Sequence, residues 1–362
     1  MNIVFLKENK SKKYISILPE DLVKLNNHKV FIQTEIGKEL NIGNEEYQKN
    51  GATIIKHLKD VNEPNIIVKL SELTNDELKQ IKSPEQILIA NLYLANNPVY
   101  LKELLKYHIT SLGIEMYHRE HKYEWLLHNE VLKARFGAND YLDYLIKTDT
   151  KGIFKKFVEK NKKRIHDLKY VIINYSYTTH ALVNALPNKH NITILESNHS
   201  YKELFKDHGV KVLDASFDIL MEEVKHADVL INTTTIPGDL THLRITKDMI
   251  QKMPQDSIYL DLGADQGFGS EITEEYNTPK HPFALAYKKV INIVLQDIGS
   301  LYPKESSEFT SKIIVRIIND FENDIVLAIK KQQSISNAIL TFSGEITNEV
   351  IGKALKLKYK EI

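Results

Sequence analysis

Short apolar runs rich in Val and Ile alternate along this chain with stretches whose apolar residues recur at helical spacing, and no other feature constrains it as much. A strand buried on both faces reads as a continuous apolar run, and consecutive parallel strands need helical crossovers. The alternation therefore predicts parallel sheets covered on both faces by helices. In the first third the strand segments are NIVFL, KVFIQ, ATIIK, NIIVKL, QILIAN and ITSLGIE. Between them lie PEDLVKLNN with Pro19 at a helix start, NEEYQKNG closed by Gly51, TNDELKQI capped by Thr74 or Asn75, and NPVYLKELLKYH. A second series after Lys169 reads YVIINY, NITILES, VKVLDA, DVLINTTT and SIYLDLG, the pattern of a doubly wound domain. A chain of 362 residues accommodates about two such domains.

Between the two series a mostly helical stretch is interrupted at Gly137 and Gly152. It carries Lys151, Lys155, Lys156, Lys160, Lys162, Lys163 and Arg164 without an accompanying series of aromatic residues, which reads as a solvated helix face rather than a nucleic-acid patch. The segment from Ser306 to Leu340 reads as one long amphipathic helix that returns to the first domain.

Charge and composition exclude several functions. Lys plus Arg and Asp plus Glu each total 48, so no global field draws the chain to nucleic acid or to an anionic membrane. Without cysteine there are no disulfides, thiolate metal sites or Cys nucleophiles. The apolar runs are strand-length, far short of the roughly 20 residues of a membrane helix. The opening MNIVFLKENKSKK lacks a signal core, and the expected location is cytoplasmic. His118, His121, His128 and Glu130 cluster in sequence but fit no zinc-helix spacing, so no metal is expected. No nucleophile elbow supports Ser-His-Asp catalysis. The expected partner is a small molecule.

The stretch LKYVIINYSYTTHALVNALP, Leu168 to Pro187, has the strand, turn and helix of a dinucleotide-binding unit, but its turn places Asn174, Ser176 and Thr179 where three glycines are usual. Asn is the best substitute for Gly at positive φ, Ser176 is small, and the helix start still offers N–H groups to an anion. Glu196, about twenty residues on at a strand end, stands where a ribose-binding acid belongs; its charge would repel a 2'-phosphate and favour NAD over NADP. It reads equally as a surface carboxylate.

Read end to end, the chain resembles the alanine dehydrogenase and pyridine-nucleotide transhydrogenase family, nearest to its N5-carboxyethylornithine synthase branch. The opening with Lys7-Glu8 and Pro19, EIGKELNIGNEEYQKNGATI, DVLINTTTIPG, YLDLGADQGFGSE with Asp261, Asp265, Gln266 and Gly267, DIGSLYPKESS, and SGEITNEVIGKAL carry the resemblance in order. It implies two Rossmann-like α/β domains with an interdomain cleft: residues 1–135 plus 308–362 as a discontinuous substrate-type domain, and 136–307 as the dinucleotide-binding type. It also implies NAD or NADP as cofactor, an amino acid or 2-oxo acid as substrate, a homo-oligomer, and contacts to nicotinamide from Asp265 and from Thr235 in the TTTIPG loop.

The sequence departs from that family at its chemistry. Tyr93 stands at the place of the catalytic His, Tyr14 at that of a carboxylate-gripping Arg, and Ser71 replaces the second of two strand-end lysines, leaving Lys69. Tyr93 reads as a proton donor activated by a cation such as Lys69, or as an ordinary strand-end residue. Lys69 reads as a substrate anchor or a snorkelling lysine, and Tyr14 as a hydrogen-bonding substitute for the Arg. Asp265 reads as catalytic and nicotinamide-contacting, or as a turn residue. Glu115 and Glu130 match acidic positions of the family, with Glu115 shaping the substrate site. The expected function is a divergent oxidoreductase acting on C–N bonds, of the opine or amino-acid dehydrogenase kind. The alternative is a non-catalytic or cofactor-independent relative that uses the cleft for a ligand or partner.

Overall fold

The computed structural model of the protein describes all residues except 84, 150–151, 153, 206–207, 235–244, 267–268, 276–282, 322–323 and 361. Along the chain the strands are β1 (Asn2–Phe5), β2 (Lys29–Gln33), β3 (Thr53–Ile55), β4 (Ile66–Val68), β5 (Ile87–Ala90), β6 (Thr110–Gly113), β7 (Tyr170–Ile173), β8 (Ile192–Leu195), β9 (Lys211–Leu213), β10 (Val229–Asn232), β11 (Ser257–Asp261), β12 (Phe283–Tyr287), β13 (Val290–Val294), β14 (Ile339–Phe342) and β15 (Glu345–Ile346). The first eleven each fall inside a run read from the sequence. Four helices matter below: α1 (Glu124–Arg135), α2 (Tyr177–Ala185), α3 (Pro303–Asp320) and α4 (Ile325–Lys331).

Two compact units divide the chain, the first taking residues 1–128 and 299–362 and the second the described residues of 129–298. The first holds an eight-stranded sheet ordered β15-β14-β6-β5-β4-β1-β2-β3, parallel except for β14 and β15. The second holds a seven-stranded sheet ordered β12-β13-β11-β10-β7-β8-β9, parallel except for β12. Counted from its own first strand, the first contains the order 3-2-1-4-5-6 of a Rossmann-like sheet, and the second runs 3-2-1-4-5-7-6, its sixth strand lying outside the seventh as an antiparallel edge. The order reverses between β1 and β4 in the first unit and between β7 and β10 in the second, the places where such sheets receive ligands at the carboxyl ends of their strands. The central strands are buried along their whole length, which is why they read as unbroken apolar runs.

The long C-terminal helix expected from periodicity is instead α3, α4, a further turn at Gln333–Ser336, and the strand β14. The break has a local cause: the Asp324 side chain accepts the Leu327 N–H and caps a new helix. Ile339 and Leu340, apolar at helical spacing, extend the sheet instead, where Ser111 and Thr341 join their hydroxyls across the added edge at 2.7 Å. The β12–β13 and β14–β15 hairpins escaped the sequence reading because their turns carry Lys288 (φ 52°) and Ser343-Gly344 (φ 49° and 86°) rather than Asn-Gly or Asp-Gly.

In the helical middle, α1 runs into a π-helical turn at Phe136–Asp140. Gly137 lies inside it, and a Cβ there would meet Leu182 of α2 and Leu262 at 3.1 Å, so this glycine sets close packing. From the basic stretch, Lys160 pairs with Asp256, Lys162 with Asp143 and Arg164 with Asp228, all as partly exposed surface pairs. No helix among the described residues is long and apolar enough to cross a membrane.

Candidate functional site

At the switch point of the second unit, the turn after β7 is built without glycine. Asn174 takes the left-handed conformation at φ 65°, and its side-chain N–H donates to the Thr234 hydroxyl beyond β10 at 2.6 Å. Ser176 caps α2 by accepting the Thr179 N–H, while the Thr179 hydroxyl accepts the Ser176 N–H: a closed capping box. The Thr179 hydroxyl also donates to the Asn174 carbonyl at 2.8 Å and lies 2.7 Å from the Thr233 hydroxyl, so it ties α2 to the ends of β7 and β10 where a third glycine would pack. Asn174, Ser176 and Thr179 are therefore brought together in one turn.

Glu196, at the end of β8, joins that turn. Its two oxygens accept the N–H groups of Tyr175 and Asn198, each at 2.7 Å, and the residue is buried. It is thus no loose surface carboxylate but a brace under the turn. The Tyr175 ring turns away to stack on Tyr201 at 4.4 Å, and Tyr177 faces solvent.

Asp265 lies on the turn after β11. That turn is pinned by Asp261, whose carboxylate accepts the Asn232 side-chain N–H (2.8 Å), the Gly269 N–H (3.0 Å) and the Thr273 hydroxyl (3.1 Å). Burial pushes the Asp261 carboxyl up to about 6. Gly269 is required by proximity, since a Cβ there would stand 2.1 Å from the Asn232 amide nitrogen.

Both oxygens of Asp265 accept hydrogen bonds from the Lys133 ammonium at 3.0 Å. Burial raises the Asp265 carboxyl above its usual range, with Lys133 opposing. Burial works against the Lys133 ammonium too, yet Asp265 and Glu130, the latter 3.6 Å away, hold it above its ordinary value. Glu130 in turn accepts the N–H of Thr178 (3.1 Å) and its hydroxyl (2.7 Å) at the start of α2. Sequence reasoning missed Lys133; the available signal was its i,i+3 spacing from Glu130 just before FGAND. Thr235, expected at the nicotinamide, lies outside the described residues, as do Gly267 and the TTTIPG loop beyond Thr234.

At the switch point of the first unit, Glu8 follows β1 and spans to the end of β4. It accepts the N–H groups of Leu70 (2.9 Å) and Ser71 (2.7 Å) and the Ser71 hydroxyl (2.7 Å), so Ser71 serves to hold Glu8. Burial raises the Glu8 carboxyl, while Lys12 acts to lower it. The Lys12 ammonium also donates to the Tyr14 hydroxyl at 2.9 Å and lies over its ring. Tyr14 itself is buried, its ring pressed against the backbone at Gly299, where a Cβ would meet it at 2.7 Å. Lys69 is buried and pairs with Glu77 at 2.9 Å, the same carboxylate that closes the Thr74 capping box.

Tyr93 sits after β5 at φ 40°, a strained position for a non-glycine residue, and Glu115 holds it there. The Glu115 oxygens accept the Leu92 N–H (3.1 Å) and the Tyr93 N–H (2.8 Å), and burial pushes this carboxyl up to about 7. Of the four residues expected at the substrate, the structure thus joins Tyr93 to Glu115 by a direct bond, while Lys69 is bonded to Glu77 and Tyr14 to Lys12. Among the described residues no group of His, Asp and Glu is arranged to hold a metal ion. His128 is pushed down to about 4 by burial against Phe309, on which it stacks at 4.2 Å.

Comparison with known proteins gives a consistent answer. Residues 6–127 match the family model described as Alanine dehydrogenase/PNT, N-terminal domain, and residues 178–349 match Alanine dehydrogenase/PNT, C-terminal domain. Alanine dehydrogenase 1 of Staphylococcus aureus (strain N315) is 25% identical over 357 residues, covering 96% of this chain and 95% of the relative. Among solved structures, an L-alanine dehydrogenase superposes with a TM-score of 0.74 at 15% identity, over 98% of this chain and 99% of that one. A transhydrogenase from Sinorhizobium meliloti gives 0.69 at 17% identity, over 96% and 99%. Identities this low speak to the fold, two Rossmann-like α/β units. The paired matches speak to lineage: the chain carries the N-terminal and the C-terminal domains of the alanine dehydrogenase/PNT family.

Proposed function

We propose that this chain is a nicotinamide-dependent oxidoreductase acting on C–N bonds, interconverting a 2-oxo acid plus an amine with the corresponding amino acid or opine. One observation supports it most. In a chain carrying both family domains, the β7–α2 turn keeps the left-handed residue, capped helix start and β8-end carboxylate of a dinucleotide fold although its glycines are gone.

Bound there, the reduced nicotinamide would supply the hydride that becomes the new C–H bond of the amino acid. The protein's part is to bind, orient and move protons. In this reading Asn174, Ser176, Thr179, Glu196 and Thr235 hold the dinucleotide, and Asp265 flanks the nicotinamide. The Tyr93 hydroxyl delivers the proton that completes the amine, Lys69 and Tyr14 receive the carboxylate, and Glu115 fixes the backbone that carries Tyr93. Buried Glu196 adds a negative charge beside the turn, which favours NAD over NADP. The partners are small molecules, an amino acid or a 2-oxo acid, taken by a homo-oligomer.

Titration of the purified chain with NADH and with NADPH, followed by nicotinamide fluorescence and thermal shift, tests this. Binding in the micromolar range with NADH preferred is the expected result; silence up to millimolar concentrations removes the redox reading. Glu196→Ala should narrow the preference for NADH. One observation favours the alternative of a non-catalytic or cofactor-independent relative: the turn's Tyr175 and Thr178 N–H groups are already bonded by Glu196 and Glu130. The same titration separates the two readings.

A further inference from the structure

Glu130 and Lys133 stand one turn apart on α1, each only 2% exposed; Glu130 reaches the start of α2 at the switch point, and Lys133 reaches Asp265 on the turn after β11. Glu130 grips the second residue of α2 through both the Thr178 N–H and the Thr178 hydroxyl. The first-turn N–H groups of this helix are the donors that seat a pyrophosphate in folds of this order. The neighbouring donors are engaged as well, the Ser176 and Thr179 N–H groups within the capping box. The Tyr177 N–H is left with no side-chain acceptor among the described residues. Lys133 meanwhile covers both oxygens of Asp265.

Two buried carboxylates share this buried ammonium. Such an arrangement is expensive, and packing alone does not call for it. The π-helical turn that follows α1, a form concentrated at functional sites, holds Gly137 against Leu182 of α2. A small shift of α1 therefore moves Glu130 relative to Thr178.

We propose that Glu130 is a built-in rival for the phosphate group at the start of α2, with Lys133 as the counter-charge that keeps it there, and that a dinucleotide binds by displacing the Glu130 carboxylate from Thr178. The proposal rests on the dinucleotide reading above and adds the residue pair that sets affinity. It also orders ligands by chemistry: an anion able to replace a carboxylate enters, whereas a neutral nucleoside gains nothing at this end.

The test uses the full chain and two probes, inorganic pyrophosphate by calorimetry and NADH by nicotinamide fluorescence. Glu130→Gln should bind both at least tenfold more tightly than the unaltered chain. Lys133→Gln, which removes the positive charge beside the two carboxylates, should bind both more weakly; a merely structural role would weaken binding in both variants. Unchanged or weaker binding by a folded Glu130→Gln chain overturns the proposal. Should that variant fail to fold, Thr178→Val keeps the helix N–H and removes the hydroxyl that grips Glu130. A smaller gain in pyrophosphate affinity is then expected, and no gain overturns the idea. Tighter pyrophosphate binding with no NADH binding in any chain defeats the dinucleotide reading while leaving Glu130 as the rival. Equal NADH binding by the unaltered chain and Glu130→Gln does the reverse.

Discussion

Glu115 offers a stability test whose sign follows from its surroundings. It is 1% exposed, bonded to the Leu92 and Tyr93 N–H groups, and its carboxyl is pushed from an ordinary 4.5 to about 7 by burial. In the unfolded chain it ionises near 4.5. Between the two values the folded state keeps a proton that the unfolded state has released, so stability falls as pH rises. Below 4.5 both states are protonated and the penalty is absent; above about 7 both are ionised and the penalty is complete. A separation of about 2.5 pH units, at about 1.4 kcal/mol each, amounts to roughly 3 kcal/mol. Glu115→Gln removes the titration. The stability of the unaltered chain minus that of the variant should therefore decline by that amount between pH 4.5 and neutral pH. Trp125 is the sole tryptophan, buried in the same unit, so urea unfolding followed by its fluorescence reports on this unit. A difference that stays flat with pH, or rises, would refute the reasoning.

Two further outcomes are expected. Asn174→Ala should lower the stability of the second unit by about 2 kcal/mol, from a left-handed residue other than Gly or Asn and a lost hydrogen bond to Thr234. Asn174→Gly should lose only about half of that, and equal losses in thermal unfolding would deny the role of backbone conformation. Tyr93→Phe should reduce turnover sharply while leaving NADH affinity as it was; retained turnover would make this side chain a packing group.

How much of this was legible depended on the range of the interaction that decides each feature. The central strands of both sheets declared themselves because burial on both faces writes an uninterrupted apolar run, as in YVIIN or DVLIN. The cap at Thr74 and the positive φ of Asn174 were readable because caps and turns are decided within four residues, whereas the cap at Ser176 was not read. The last four strands, β12 to β15, were not, since NAIL fits a helix as well as a strand until β6 stands beside it. The same limit hid the site's partners. Glu8 meets Ser71 across 63 positions and Lys133 meets Asp265 across 132, and neither pairing leaves a periodic trace. The lone Lys69 looked available from its strand-end position, and only the folded chain shows Glu77 holding it.

The strand order of the first unit carries a consequence for how the molecule is made. Six of its strands are synthesised by residue 113, yet β6 finds its outer neighbour only when Ile339–Phe342 emerges. Until then that edge offers open backbone groups to any passing strand. The intervening segment, complete by residue 298, can close first. Birth order and completion order are thus inverted: the half begun earliest is sealed last, and an interrupted product would display a raw sheet margin prone to self-association.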